Sequence, residues 1–249
     1  VARSWGSFAE FLIMRDASLC LGCPVDDKSF CGAVLSHRWS SDEQSGNWQY
    51  FRTFPAGEQV CSPERPLPDI FVLCSGWAFR FLRISDGRRQ ILNFLLPGDL
   101  FSASAIFEQV CHSSVKALTT IQVSAMKRAV VQSRLAAHPA IVASLARSFS
   151  AEVRMSDGMI VALGRCPAEQ RIAFLLLHLM KRIAARNVIR DQRFPLPLRQ
   201  QHIADAVGLT SVHVCRVLRG FHDRRIADLS DGVLEVMDQR QLEQLGSLL

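Results

Sequence analysis

The sequence predicts an α+β protein in three successive parts: a strand-rich antiparallel N-terminal half, one long helix, and a C-terminal winged helix-turn-helix. Three observations carry this. Turn signals recur about every ten residues from Phe54 to Met126. After Ala136 the apolar period changes from strand-like to helical. From Gln200 to Arg219 the chain follows the helix-turn-helix plan, and a hairpin pattern comes after it.

Composition agrees with a folded chain. Of 249 residues, 49% are apolar and 21% charged, enough to bury a core and to exclude disorder as the main state. The longest apolar stretch, Ile172 to Met180, is far short of the ~20 residues of a membrane span. Phe11 to Met14, between Glu10 and Arg15, is too short and too charged for a signal-peptide core. A cytoplasmic location is therefore expected. The eight cysteines then read as buried thiols or as metal and redox ligands rather than as a disulfide framework. The net charge of +6 permits a nucleic-acid partner, and 13 Lys+Arg against 9 Asp+Glu fall after residue 163.

Taken in order, residues 1–31 are a Cys-rich leader, 32–136 a strand-rich domain, 137–165 a long helix and 166–249 a winged helix-turn-helix domain. In the strand-rich domain, Ile70–Cys74, Ala78–Ile84 and Gln90–Leu96 are strand-length and rich in aromatic or branched residues. Turns at Pro55–Gly57, Ser75–Gly76, Asp86–Gly87 and Pro97–Gly98 separate them, as in an antiparallel sandwich or barrel. Leu145, Phe149, Val153, Ser156, Ile160 and Leu163 then trace one narrow stripe on a helix of about seven turns, which suits a two-helix seam. Cys166-Pro167 stops that helix, and a second runs through Ile172 to Ile183. Lys181 to Arg199 is a polar basic stretch.

In the helix-turn-helix, Ala204 is small where two helices cross, and Gly208 takes the turn position that needs a positive φ. Val214 and Val217 fill apolar positions of the second helix, and Thr210 is placed to cap it. Arg216 is the candidate base contact, because a guanidinium matches the O6/N7 edge of guanine. Gln200, Gln201, Ser211 and Arg219 are candidates for phosphates, with Val212, His213 and Cys215 on or near the same helix. Arg225 to Met237, turning at Asp231-Gly232, reads as the wing.

This order of parts resembles the Crp/Fnr superfamily of transcription regulators over roughly residues 20 to 245. The resemblance rests on Phe54-Pro-Ala-Gly57, Ser85 to Ile91, Leu96-Pro-Gly-Asp-Leu100, Ala168 to Phe174 and the motif at 200–219. The leader Cys20-x2-Cys23-x7-Cys31 is similar to that of the Fnr branch. The resemblance implies a cyclic-nucleotide-binding-like β-roll and a homodimer on a near-palindromic operator of double-stranded DNA. It also implies RNA polymerase as a partner and an oxygen-labile [4Fe–4S] cluster held by cysteines. Cys20, Cys23 and Cys31 would supply three ligands. The family's fourth cysteine falls at or near Ser124, and Cys111 is the preferred substitute over Cys61 and Cys74.

Three further departures bear on function. Val212 stands where Fnr proteins have a glutamate reading a TTGAT-type half-site, and Cys215 replaces that motif's serine, so a changed half-site is expected. Ser156 occupies a seam position that is charged in the Fnr branch, so dimerisation is expected to depend less on a cofactor. His112 stands at the cyclic-nucleotide phosphate arginine and Asp99 at the ribose glutamate, which weakens a nucleotide reading. Zinc on Cys20, Cys23, Cys31 and His37, or direct oxidation of leader thiols or Cys215, remain alternatives. Cys74 and Cys166 read as structural thiols. His138 and His178 are single histidines on helices, and the motif content does not suggest an enzyme.

Overall fold

The computed structural model describes residues 29–36, 48–63, 65–108, 110–186 and 192–248. Cys20, Cys23, His37 and Arg190 lie outside the described residues. The described chain opens on helix α1 (Phe30–Ser36) and then folds into seven antiparallel strands. These are β1 (Gln49–Phe54), β2 (Gln59–Cys61), β3 (Asp69–Ser75), β4 (Ala78–Arg83), β5 (Arg89–Leu95), β6 (Ser114–Ala117) and β7 (Ile121–Lys127), with the one-turn helix α2 (Ala105–Glu108) before β6. They form two sheets, β1-β7-β3 and β2-β6-β4-β5, facing each other as a roll.

Strand alternation decides what each face buries. Phe71 and Leu73 of β3, with Val123 and Ala125 of β7, point into the roll among Phe54, Cys61, Phe101, Cys111 and Val115. Ile70, Val72 and Met126 point the other way, into a second core with Phe30, Cys31 and Val34 of α1. Both faces of β3 are therefore covered, which is why Ile70–Leu73 is an unbroken apolar run rather than an alternating one.

Helix α3 (Arg128–Ala137) leads into α4 (Pro139–Arg165). Pro139 sits in the first turn of α4, where its missing N–H costs nothing, and Cys166 ends the helix in extended geometry before Pro167. The N-terminal end of α4 buries Ile141 and Leu145 in the α1 core. Its C-terminal end buries Met155, Met159 and Ala162 in a third core shared with the rest of the chain.

That rest comprises α5 (Ala168–Ala184), β8 (Arg193–Pro195), α6 (Gln200–Val207), α7 (Ser211–Asp223), β9 (Ala227–Ser230), β10 (Val233–Val236) and α8 (Gln239–Gly246). The expected hairpin wing is a three-stranded sheet of order β8-β10-β9, because Arg193–Pro195 of the polar stretch adds an edge strand. Asp231 and Gly232 both take positive φ (50° and 74°), the backbone of a two-residue hairpin turn whose twist matches its strands. Among the described residues no helix is long and apolar enough to cross a membrane.

The seam stripe needs one correction. Leu145 is 5% exposed, within the α1 core, and Leu163 packs against the third core. The outward apolar stripe instead runs through Val142, Phe149, Val153 and Ile160, with Ser156 half-buried between the last two. A narrow periodicity alone does not say which of its ends is claimed by the chain's own domains.

Candidate nucleic-acid interface and cysteine sites

Helix α6 ends at Gly208, whose φ of 65° and ψ of 40° turn the chain through the left-handed region. Ala204 is buried where α6 meets its neighbours. Thr210 Oγ1 accepts the His213 N–H at 3.2 Å and so caps α7. The inner face of α7 is apolar, with Val214 and Phe221 fully buried and Val217 and Leu218 packed on the same core. That inward face fixes what turns outward: Val212, His213, Arg216 and Arg219 are exposed, and Ser211 and Cys215 half-exposed. Among the described residues Arg216 and Arg219 make no salt bridge, so both guanidinium groups remain available to an anion.

Gln200 and Gln201 lie exposed in the first turn of α6. Gln201 Nε2 already donates to Asp205 Oδ1 at 2.7 Å, so its amide would have to exchange that bond for a phosphate. Asp205 in turn receives Arg89 of β5, whose Nε lies 2.7 Å from Oδ2, and Gln90 Nε2 donates to the Ala206 carbonyl at 2.9 Å. The β4–β5 hairpin therefore grips the first helix of the helix-turn-helix. Burial and the Arg89 charge together lower the pKa of His202, which lies 5.6 Å from the Phe79 ring.

The basic stretch proves to be divided. Arg182 and Arg186 both point back to the roll and share the Asp99 carboxylate, with Arg186 Nη2 2.6 Å from Oδ1. Arg182 also donates to the Phe94 carbonyl at 2.7 Å and Arg186 to the Pro97 carbonyl at 2.6 Å. Asp99 additionally accepts the Leu96 N–H at 2.7 Å, so its carboxylate is engaged within the chain. His112 is exposed and paired with Glu108. These arginines are interdomain ties rather than part of a DNA-facing surface. Nothing in the local sequence signals partners more than 80 positions away.

Residues 51–138 match the family described as Cyclic nucleotide-binding domain, and residues 170–245 the family described as Crp-like helix-turn-helix domain. Both domains are those of a Crp/Fnr family regulator. It is 26% identical to the nitrogen fixation regulation protein FixK of Azorhizobium caulinodans, over 90% of this chain and 95% of that protein. It is 27% identical to the transcriptional activator protein FnrL of Cereibacter sphaeroides, over 79% of each. Among solved structures, FixK2 from Bradyrhizobium japonicum superposes with a TM-score of 0.72 at 23% identity, covering 81% of this chain and 98% of that one. A CooA mutant from Carboxydothermus hydrogenoformans gives 0.68 at 18% identity, covering 90% and 98%.

Set in the Crp/Fnr fold, the cysteines fall into separate groups. Cys31 is buried on α1, in the core outside the β1-β7-β3 sheet. Ser124, at the center of β7, pairs with Val72 of that same outer core and accepts a hydrogen bond from Gln49 Nε2 at 2.7 Å. Cys111 lies on the opposite side of the sheet, inside the roll with Cys61. The structure therefore does not bring Cys111 to Cys31. Nearness in sequence to the late strands suggested Cys111, but the face of the sheet decides. Among the described residues no group of three or more His, Cys, Asp or Glu side chains is placed to hold a metal ion. A cluster with Cys31 and Cys111 as common ligands does not fit this geometry. Cys215 is half-exposed on α7, and Cys166 half-exposed at the end of α4.

Proposed function

We propose that this chain is a dimeric transcription regulator that reads DNA with α7 and responds to oxygen or redox state through its cysteines. The observation that carries the reading is the outward face of α7, with exposed Arg216 and Arg219 beside Val212 and His213. Such a face supplies one base-reading guanidinium and one phosphate-binding guanidinium on a helix shaped to enter the major groove. The apolar stripe Val142, Phe149, Val153 and Ile160 is the proposed seam between two copies, setting two α7 helices on two half-sites.

The sensing half rests on relatives and on the leader. FnrL is a named activator, and further relatives at 25–27% identity carry the names Electron transport regulator A and Anaerobic regulatory protein. Cys20, Cys23 and Cys31 are the proposed ligand-bearing thiols. A bound iron–sulfur cluster would supply an oxygen-labile group, and zinc a structural one. What the chain itself contributes is the position of α1. Cys31 shares a core with Ile141 and Leu145 of α4, so a change at the leader alters packing at the base of the proposed dimer helix.

Two experiments test this. Binding-site selection followed by gel shift should recover a two-fold symmetric site, and failure to bind any duplex would overturn the DNA reading. Anaerobic purification with iron, sulfide and zinc assays, repeated on Cys23→Ser, should show metal that the variant loses. Metal-free chain from both preparations would overturn the leader site.

A further inference from the structure

Inside the roll, Cys61 and Cys111 make a second thiol site independent of the leader. The sheet register places Cys61 of β2, Val115 of β6 and Arg80 of β4 in one row across three strands. Cys111 enters just before β6, in the same buried core as Cys61, with the two thiols close enough to act on each other's ionisation. Both are among the core residues of the roll, 6% and 4% exposed. The pair is not sealed, however. Cys111 lines a cavity of about 400 Å³ together with Arg80, Phe101, Phe149, Glu152 and Ser156. Cys111 lines this cavity and Cys61 does not, so a small uncharged molecule entering it reaches Cys111 before Cys61.

The surroundings favour reaction there. Cys61 is held as the proton donor, its pKa raised by the bond to Cys111 and by burial. Cys111 is shifted the opposite way, first by that donated bond and also by the charge of Arg80, while burial opposes both. Arg80 Nε is buried without a hydrogen-bond partner, and its Nη2 is paired with Glu152 on α4. A cation thus stands between the two sulfurs and the helix that carries the proposed seam. A sulfur whose pKa is lowered beside a cation, with a second thiol in the same core, is the arrangement in which oxidation stops at a disulfide.

We propose that Cys61 and Cys111 are a dithiol that a hydroperoxide oxidises to a disulfide, and that Arg80 transmits the change to Glu152 of α4. The Cys111 thiolate attacks one peroxide oxygen, the O–O bond breaks, and the leaving hydroxide takes a proton to become water. Cys111 is then a sulfenic acid. The Cys61 sulfur attacks the Cys111 sulfur, the S–O bond breaks, and the departing hydroxide leaves as water with the Cys61 proton. Two thiols and one hydrogen peroxide give one disulfide and two waters. Oxidation removes the thiolate that faces Arg80, so its guanidinium is left to Glu152 alone. Only this last consequence rests on the reading of the chain as a DNA-binding regulator.

The full-length chain, treated with about one equivalent of hydrogen peroxide and then alkylated unfolded, tests the site. Peptides cut between Cys61 and Cys74 should show Cys61 joined to Cys111, about 2 Da below the summed thiol masses, and released by dithiothreitol. The Cys61→Ser chain should instead trap Cys111 as a dimedone adduct. Alkylation of both cysteines in oxidised wild type, or pairing of either with another cysteine, overturns the site. For the route through Arg80, the peroxide-induced change in DNA affinity of the wild type should exceed that of the Cys61→Ala, Cys111→Ala chain by about 5-fold. An equal change in both overturns that route. If neither chain binds DNA in any state, the functional reading fails while the peptide map still decides the disulfide.

Discussion

Arg89 and Asp205 stand 116 positions apart in the chain, yet Arg89 Nε lies 2.7 Å from Asp205 Oδ2, a link between the β-roll and the first helix of the helix-turn-helix. The two side chains are only 23% and 12% exposed, so solvent screens the pair incompletely. Arg89→Gln or Asp205→Asn should loosen α6 from the β4–β5 hairpin. Each should cost about 1–3 kcal/mol, with the double variant costing less than the sum. Urea unfolding of all four chains gives the coupling, and strict additivity would remove this contact from the interdomain grip.

The exposed face of α7 separates two kinds of contact. Arg216→Ala should weaken the selected site by about 1–3 kcal/mol and relax preference at one base pair. Arg219→Gln should weaken all sequences alike and lower the slope of log affinity against log salt by about 1. Val212, 68% exposed, has no acceptor for a cytosine amino group, so Val212→Glu should shift selection toward cytosine at one position. Selection of the same site by wild type and Val212→Glu would show that this side chain does not read a base.

Position along α4 predicts two different failures. Val153→Glu or Ile160→Glu puts a charge on the outward stripe and should leave a folded monomer at micromolar concentration. Leu145→Ala opens the α1 core instead and should lower stability by about 2–5 kcal/mol. Because Ser156 adds no charge to the stripe, chain freed of metal in air should still sediment as a dimer. A monomer under those conditions would tie self-association to a cofactor.

His178 on α5 is held neutral. Its pKa is pushed down to about 4, first by burial and then by the charge of Arg182, and its Nε2 is buried without a partner. The unfolded histidine keeps the ordinary value near 6.5. Between pH 6.5 and 4 the unfolded chain binds the extra proton, so stability falls as pH falls through that window, by at most about 3 kcal/mol. The loss of urea midpoint between pH 7 and 5 should be smaller in His178→Gln. Parallel curves would assign the acid loss to other groups.

The features legible in the sequence are those decided within a few residues. Thr210 as a cap, Gly208 in a left-handed turn and strands at Asp69–Ser75 and Ala78–Arg83 are each fixed by local chemistry. The same locality hid the rest. Arg182 and Arg186 read as basic surface because their partner Asp99 lies more than 80 positions back. Cys111 read as the neighbour of a leader thiol because chain order does not record which face of β7 a residue's surroundings occupy. Leu145 and Leu163 read as seam because a helix stripe has the same period whether another chain or the chain's own cores cover it.

Helix α4 joins these separate places mechanically. Leu145 near one end touches the α1 core, while Leu163 at the other lies against the α6–α7 turn, where its Cδ2 would meet a Cβ at position 208 at 3.5 Å. The 17 residue-to-residue steps from Leu145 to Ala162 span about 25 Å at 1.5 Å per step. A tilt of about 2° about Leu145 therefore displaces Ala162 by about 0.9 Å, more than a close-packed interior absorbs without rearranging. The helix has the proportions of a lever arm: a slight shift of angle at its α1 end would become a step at the α6–α7 turn.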